Sequence, residues 1–332
     1  LAPWNYPIFL SLAPLAGVLA AGNHALLKPS QLAPRTAALI GDILSGIYPA
    51  TYVSVVTGGP DVAAQVARLP FDHLVFTGST RVGRMVMKAA SEHVVPVTLE
   101  LGGKSPAIVH RSYSIERAAV RILTGKLYTA GQTCVAPDYV LVPEDRRDEF
   151  VEQARRLVAR MYPSLAGNAD YTRIISEHHY RRLAALLDDA RQQGAEIVRI
   201  NPAGEECTDV NRVFAPTLLL DVRAEMDVMR EEIFGPILPV VTYRTMDEAV
   251  AFVNARPHPL ALYYFDEDRA RARDLIARVP SGGVTLNDCV FHVGHAGLPF
   301  GGIGPSGMGR YHGIDGFEAF WHKRRVFVQR RV

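Results

Sequence analysis

The sequence predicts an α/β protein made of two doubly wound α/β domains, and three observations predict it. Short β-rich runs alternate with amphipathic helical runs along most of the chain, the pattern that builds parallel sheets covered by helices. The length of 332 residues exceeds what one core fills, because single cores stop growing at about 250–300 residues. The paired glycines Gly102 and Gly103 break the alternation and place the expected domain boundary there.

In chain order, residues 8–21 are apolar and read as a buried core helix. The run carries Pro14 and no basic leader. At about 14 residues it is shorter than the roughly 20 that cross a bilayer, so neither a signal peptide nor a membrane span is expected. Residues 24–28 and 51–58 read as strands around a helix at 33–46, with Ala37, Ile40, Ile43 and Leu44 on one face. A strand at 73–77 runs through a glycine turn into a helix at 80–91, with Val82, Met85, Val86 and Ala89 as its apolar face. A strand at 95–101 closes the first region. The second region reads as helices at 115–128, 145–162, 180–193 and 246–254 and strands at 139–143, 214–222, 236–243, 261–265 and 282–287. Residues 298–316 are glycine-rich and aperiodic, a long loop or crossing segment, and 325–332 read as a terminal strand.

Thirty-six basic residues against 34 acidic ones leave no basic stripe for a nucleic acid. The one basic cluster (Lys323, Arg324, Arg325, Arg330, Arg331) reads as a charged sheet edge. Three cysteines, an odd and sparse set, are no disulfide framework and suit a reducing, cytoplasmic compartment. The chain starts at Leu1 rather than Met and is expected to be part of a longer protein.

Several segments carry chemistry. In GQTC (131–134) the Cys134 thiol has glycine beside it, which leaves room for a carbonyl; it reads as a nucleophile or as a buried structural cysteine. In LELGGK (99–104), Glu100 ends a strand beside two glycines and reads as a general base or as one half of an ion pair. In PWNYP (3–7), the Asn5 amide lies between stiffening prolines and reads as an oxyanion donor or a turn residue. FTGSTRVG (76–83) follows a strand and opens a helix, which points backbone N–H groups at a phosphate, although glycine turns before helices are common. Lys28, in KPSQ, ends another strand and reads as a ribose or phosphate ligand or as a surface charge.

The order of Asn5, Lys28, Gly78, Gly83, Glu100 and Cys134 carries the resemblance. PWNYP, AGN…KPS, FTGSTRVG, LELGGKSP, GQTC, EEIFGP and LPFGGIGPSGMG, spread over residues 3–309, resemble the signatures of aldehyde dehydrogenases. GQTCVAPDY (131–139) and SGMGRYHG (306–313) resemble the class 3-like branch, with fatty, aromatic and bacterial coniferyl-aldehyde enzymes.

The resemblance implies a Rossmann-like NAD(P)-binding domain at 1–101, a catalytic domain at 102–303, and a return segment with an oligomerisation strand at 304–332. It implies oxidation of an aldehyde to the acid through a thiohemiacetal and thioester on Cys134, with Asn5 and the Cys134 N–H holding the oxyanion and Glu100 activating water. The same family pattern places Lys28 and Glu232 on riboses, Gly78, Ser79 and Gly83 near the pyrophosphate, and Phe234 by the nicotinamide. Trp4, Ser30, Gln31 and Leu101 complete the cofactor set. Many members read KPSE where this chain reads KPSQ, and Gln31 lacks the carboxylate that would repel a 2′-phosphate, so NADP is expected to be tolerated beside NAD. The resemblance also implies an N-terminal segment ahead of PWNYP and a homodimer for the complete protein. The rival readings are an inactive fragment or pseudoenzyme with a binding role, and a dehydrogenase acylating coenzyme A, which has no need of Glu100. His292, His295 and His312 read as packed, surface or tunnel residues, and Tyr6, Tyr128 and Phe291 as pocket or core aromatics. Glu231 reads as a structural ion pair.

Overall fold

The structure, a computed structural model, describes residues 1–330. In chain order the elements are α1 (Phe9–Ala20), β1 (Ala25–Leu27), α2 (Pro34–Ile47), β2 (Val53–Val55), α3 (Pro60–Val66), β3 (Leu74–Thr77), α4 (Thr80–Ala90), β4 (Val97–Glu100) and β5 (Pro106–Val109). Then follow α5 (Ile115–Leu127), β6 (Tyr139–Pro143), α6 (Arg147–Met161), α7 (Glu177–Gln192), β7 (Glu196–Arg199), β8 (Thr217–Leu220), α8 (Asp227–Arg230), β9 (Ile237–Tyr243), α9 (Met246–Asn254), β10 (Ala261–Phe265), α10 (Arg269–Arg278), β11 (Gly283–Leu286), β12 (Gly307–Met308) and α11 (Gly313–Ala319).

The larger sheet has the order β11-β10-β5-β6-β9-β8-β7 and is parallel except for β7 at its edge. Its strands alternate sides. Ala107, Val109, Val140, Val142, Tyr263 and Phe265 face a core completed by α5 and α6, through Ile122, Leu123, Phe150 and Leu157. Ile108, Tyr139, Leu141, Leu262 and Tyr264 face the other, completed by α7, α9 and α10 through Leu183, Leu187, Val253 and Leu275. Helices on both faces explain why these strands are apolar throughout.

The smaller half pairs β1 with β2 and β3 with β4, both parallel. Residues 1 and 2 join the two pairs: the Leu1 amine donates to the Val75 carbonyl at 2.8 Å, Thr77 N–H donates to Leu1 O at 3.2 Å and Ala2 N–H to Lys28 O at 3.0 Å. The strands β1 and β3 and the segment between them therefore run in the same direction, and their carboxyl ends share one edge. β12 adds antiparallel to β4, with Gly307 opposite Glu100, so the crossing segment returns to this half.

The structure corrects several expectations. Ile43 is 51% and Met85 60% exposed; the buried stripes are Ala37, Ile40 and Leu44 on α2 and Gly83, Val86 and Ala90 on α4. Helix α1 buries only Leu10, Ser11, Pro14 and Leu15, leaving Ile8 and Phe9 exposed, so it is a surface helix rather than a buried one. The sequence reading omitted β5, β7, α3, α8, α10 and α11. The terminal strand is absent among the described residues: 321–330 carry no strand, and Val326, Phe327 and Val328 are exposed, because this segment has no ladder partner in its own chain. Residues 331–332 lie outside the described residues. No helix among the described residues is long and apolar enough to cross a membrane.

Candidate active site

The shared carboxyl edge of the smaller half carries most of the predicted residues. Residues 1 and 2 lead out of the sheet into Trp4 and Asn5. At the end of β1, Lys28 is buried and its ammonium donates to the Gln31 side chain at 3.1 Å; burial, set against the attraction of Asp61, lowers its pKa. Ser30 turns inward, its hydroxyl accepting from Leu32 N–H at 3.2 Å. At the end of β3, Gly78 N–H donates to Glu100 O at 3.0 Å, and Ser79 caps α4 by accepting from Val82 N–H. Gly83 lies against Leu101, whose Cδ2 would stand 2.5 Å from a Cβ at residue 83, so α4 rests directly on the strand edge.

Glu100 ends β4 with 2% exposure. Neither carboxyl oxygen has a hydrogen-bond partner among the described residues, and burial raises its pKa well above the usual carboxylate range. Opposite it, the chain from α5 passes through Thr129, Ala130 and Gly131 with φ of 51, 51 and 75°. Two successive left-handed L-residues are costly, and Gly131 continues the turn without that penalty; the turn leads the chain to Cys134, half-buried ahead of β6. Burial is the largest cause pushing the Cys134 thiol up to about 12, followed by the charges of Glu232 and Glu100; the N–H groups of Cys134 and Val135 pull it back. Cys134 and Glu100 are thus within each other's field.

Asn5 Nδ2 donates to Gln132 O at 3.1 Å, leaving one amide hydrogen free of that bond. The buried Gln132 side chain donates to Thr129 O and Arg173 O and accepts from Ile175 N–H, which braces the turn. The Tyr6 hydroxyl bonds Thr133 at 2.8 Å and Thr129 at 2.9 Å. Sequence reasoning missed Gln132, Thr129 and Thr133, since bracing hydrogen bonds leave no spacing signal.

The third wall is the turn between α8 and β9. Glu232 lies over Gly102, where a Cβ would stand 1.9 Å from Oε2, and Gly103 N–H supports its carboxyl. Burial, reinforced by the charge of Asp138, pushes Glu232 up to about 8. Phe234, at φ 51°, meets the edge of Trp4 at 5.4 Å between ring centres, and His179, also missed in the sequence, meets Trp4 at 5.3 Å. The cleft therefore lies between the carboxyl ends of β3 and β4 and the amino ends of β6 and β9, not at carboxyl ends on both sides.

Outside it, His292 bonds Thr285 at 2.9 Å and packs near Tyr263 and Phe300, while His312 stacks on Phe300. His295 is exposed. Arg182 approaches Glu231 at 3.9 Å. Tyr128 meets Phe291 edge-on, with both exposed.

A helix N-terminus, a buried lysine at a strand end and a buried carboxyl over glycine form a donor set suited to a phosphate-and-ribose ligand. Residues 1–326 match the aldehyde dehydrogenase family as a whole. The chain belongs to the aldehyde dehydrogenase family. It is 51% identical over 99% of its length to a probable coniferyl aldehyde dehydrogenase of Caulobacter vibrioides, spanning 68% of that protein. Among solved aldehyde dehydrogenases, the substrate-bound AldH of Staphylococcus aureus is 44% identical with a TM-score of 0.93, covering 100% of this chain and 71% of that one. A Mycobacterium tuberculosis aldehyde dehydrogenase complexed with NAD+ is 32% identical with a TM-score of 0.87, covering 96% and 66%. Within this aldehyde dehydrogenase fold, PWNYP, KPSQ, FTGSTRVG, LELGGK, GQTC and EEIFGP border the cleft described above, whereas Asn23 of AGN lies before the amino end of β1 and bonds Phe320 O at 2.7 Å.

Proposed function

We propose that the chain oxidises an aldehyde to the carboxylic acid with NAD+ or NADP+, Cys134 being the nucleophile. The observation that carries this reading is the buried, unpartnered Glu100 carboxyl in the field of Cys134. A buried polar group without a partner is costly, and a water to be activated is a partner that justifies it. The Cys134 sulfur bonds the aldehyde carbon as the thiol proton passes through water to solvent, and the negative charge moves to the carbonyl oxygen. The free Asn5 amide hydrogen and the Cys134 N–H hold the carbonyl oxygen. When bound, the nicotinamide supplies a hydride acceptor. The thioester left on Cys134 is opened by water: its proton passes to Glu100, its oxygen bonds the acyl carbon, and the carbon–sulfur bond breaks. Splitting the reaction in two makes each step easier.

Lys28 and Glu232 would hold riboses. Gly78, Ser79 and Gly83 would leave the N–H groups of α4 open to the pyrophosphate, with Leu101 backing the helix. Trp4 and Phe234 would flank the nicotinamide end, with Ser30 and Gln31 at the adenosine end. Because Gln31 is neutral and already bonded by Lys28, a 2′-phosphate meets no like charge there; a thousandfold or greater preference for NAD+ in kcat/KM would contradict this. The named relative supports an aromatic aldehyde of the coniferyl type. The segment 325–332 is proposed to pair with a second copy of the chain. Residues 1–101 are proposed as the cofactor domain, 102–303 as the catalytic domain and 304–332 as the return segment. The three free cysteines support a reducing, cytoplasmic setting.

The deciding experiment follows reduced-cofactor absorbance with a panel of aromatic and aliphatic aldehydes. Cys134→Ala is expected to remove turnover while cofactor still binds. Persisting turnover in that variant would overturn the proposal.

A further inference from the structure

A buried cluster beside the cleft has no place in the chemistry above. Lys104, 9% exposed, directs all three ammonium hydrogens to acceptors: Asp138 Oδ2, Val228 O at 2.8 Å and Glu231 O at 2.9 Å. The other oxygen of Asp138 accepts from Ile233 N–H at 3.1 Å, and Asp138 N–H donates to Ser105 O at 2.7 Å. Lys126, fully enclosed on α5, stands 4.0 Å from Asp138, with no hydrogen-bond partner among the described residues. One ion pair thus grips the backbone at residues 228, 231 and 233. Its lysine lies in the segment that follows Glu100, and its aspartate lies four residues after Cys134. Gly131 completes the contact, since a Cβ there would stand 2.3 Å from Gly235 O.

We propose that the Lys104–Asp138 pair is a positioning clamp that sets Glu232 and Phe234 against Cys134, and so governs cofactor binding. This rests on the functional reading above. Three observations carry it. The ammonium is fully satisfied, so its geometry is fixed. Its acceptors include one carbonyl inside the short helix α8 (Val228) and the one just after it (Glu231), so the ammonium ties the helix to the turn that follows. The carboxyl of Glu232 occupies the space over Gly102, two residues before Lys104, so movement of either segment displaces the other. A buried ion pair is weak evidence for stability but a good device for fixing register.

The test compares wild type with the paired variant Lys104→Met/Asp138→Asn. The paired change removes both charges of the pair, so that neither is left without the other, the costly outcome of a single substitution, and Lys126 keeps the charge of Glu232 beside it. Affinity for NAD+ and NADP+ is measured by calorimetry. Hydrolysis of p-nitrophenyl acetate is measured without cofactor, since it calls on Cys134, Asn5 and Glu100 but on neither Glu232 nor Phe234. The expected result is cofactor affinity weaker by about tenfold, within the range usual for coupled sites, and aldehyde oxidation slower by about 100-fold, as for a misplaced reacting group. Ester hydrolysis is expected to stay within about threefold, the small change expected where transition-state contacts are kept. In a Glu232→Ala background the loss of affinity should largely disappear, the non-additivity that a shared path requires. Equal losses in ester hydrolysis and cofactor affinity, or unchanged affinity, overturn the clamp. Should the paired variant not fold, hydrogen exchange on the wild type decides: protection of the Ile233 amide matching that of β6 supports the clamp, and rapid exchange overturns it. A wild type that binds neither cofactor overturns the functional reading itself, whereas binding that the paired variant retains overturns the clamp alone.

Discussion

At the scale of single residues, burial in the cleft disfavours the charged forms of its ionisable groups. The Cys134 thiol is pushed up to about 12 by burial and by the nearby carboxyls, so its thiolate fraction should grow about tenfold per pH unit through the neutral and alkaline range. Alkylation of Cys134 by iodoacetamide is expected to follow that slope from pH 7 to 10; a plateau below pH 8 would contradict it. Glu100 is likewise raised above its ordinary 4.5. The folded chain then binds more protons than the unfolded one, so this group's contribution to stability is complete below about pH 4.5 and falls as pH rises through its raised folded value. Glu100→Gln is therefore expected to raise the melting temperature at pH 8 while leaving it nearly unchanged at pH 4. The same variant should lose turnover by about 10²–10⁴-fold, the worth of a general base, yet still release one equivalent of reduced cofactor in a burst; steady turnover at the wild-type rate would exclude Glu100 as the base. Cys134, Glu100 and Asn5 stood out in the sequence as candidates because each lies in a short glycine- or proline-marked segment. Lys104 and Asp138 could not, because their meaning depends on which carbonyls surround them.

At the scale of elements, sequence periodicity found the long helices, the central strands and the inward faces of α2 and α4, but drew those faces one residue too wide. Ile43 and Met85 lie one position away from residues that are buried, Leu44 and Val86, and apolar residues on both sides of a stripe blur a helical period. The strand β5 was hidden because it is only four residues long and opens on Pro106, a residue strands tolerate at their first position. Helix α10 carries four arginines in ten residues and buries only Ala272 and Leu275, too little to show a stripe. The turn before Cys134 has a sharper signature. Gly131 combines φ 75° with backbone contact to Gly235, so Gly131→Ala adds a left-handed penalty of about 1–2 kcal/mol to an overpacking cost of about 1–3 kcal/mol. Chemical denaturation is expected to report a loss of about 2–5 kcal/mol; a loss under about 1 kcal/mol would mean that the turn relaxes freely.

At the scale of the whole molecule, the alternation of strands and helices revealed the α/β class and both sheets, while the relation between the sheets was not legible. The cleft joins the carboxyl edge of one sheet to the amino edge of the other, and no local pattern encodes which edges meet. The exposed apolar stretch of Val326, Phe327 and Val328 is the kind of surface that pairs with a partner. Removing residues 322–332 is expected to shift sedimentation from dimer to monomer; a wild-type chain that sediments as a monomer at micromolar concentration would refute the pairing. The crossing segment has a further consequence, in the order of events at the ribosome. β12 pairs with β4 across more than two hundred intervening residues, bringing Gly307 to Glu100. The edge of β4 thus stays open until nearly the whole chain has been synthesised, and contacts so distant in sequence form late. The larger sheet, whose strands all lie between residues 106 and 286, can assemble first, and the pocket around Glu100 is walled in last. A nascent chain halted before residue 307 would carry Cys134 and Glu100 with that wall still missing.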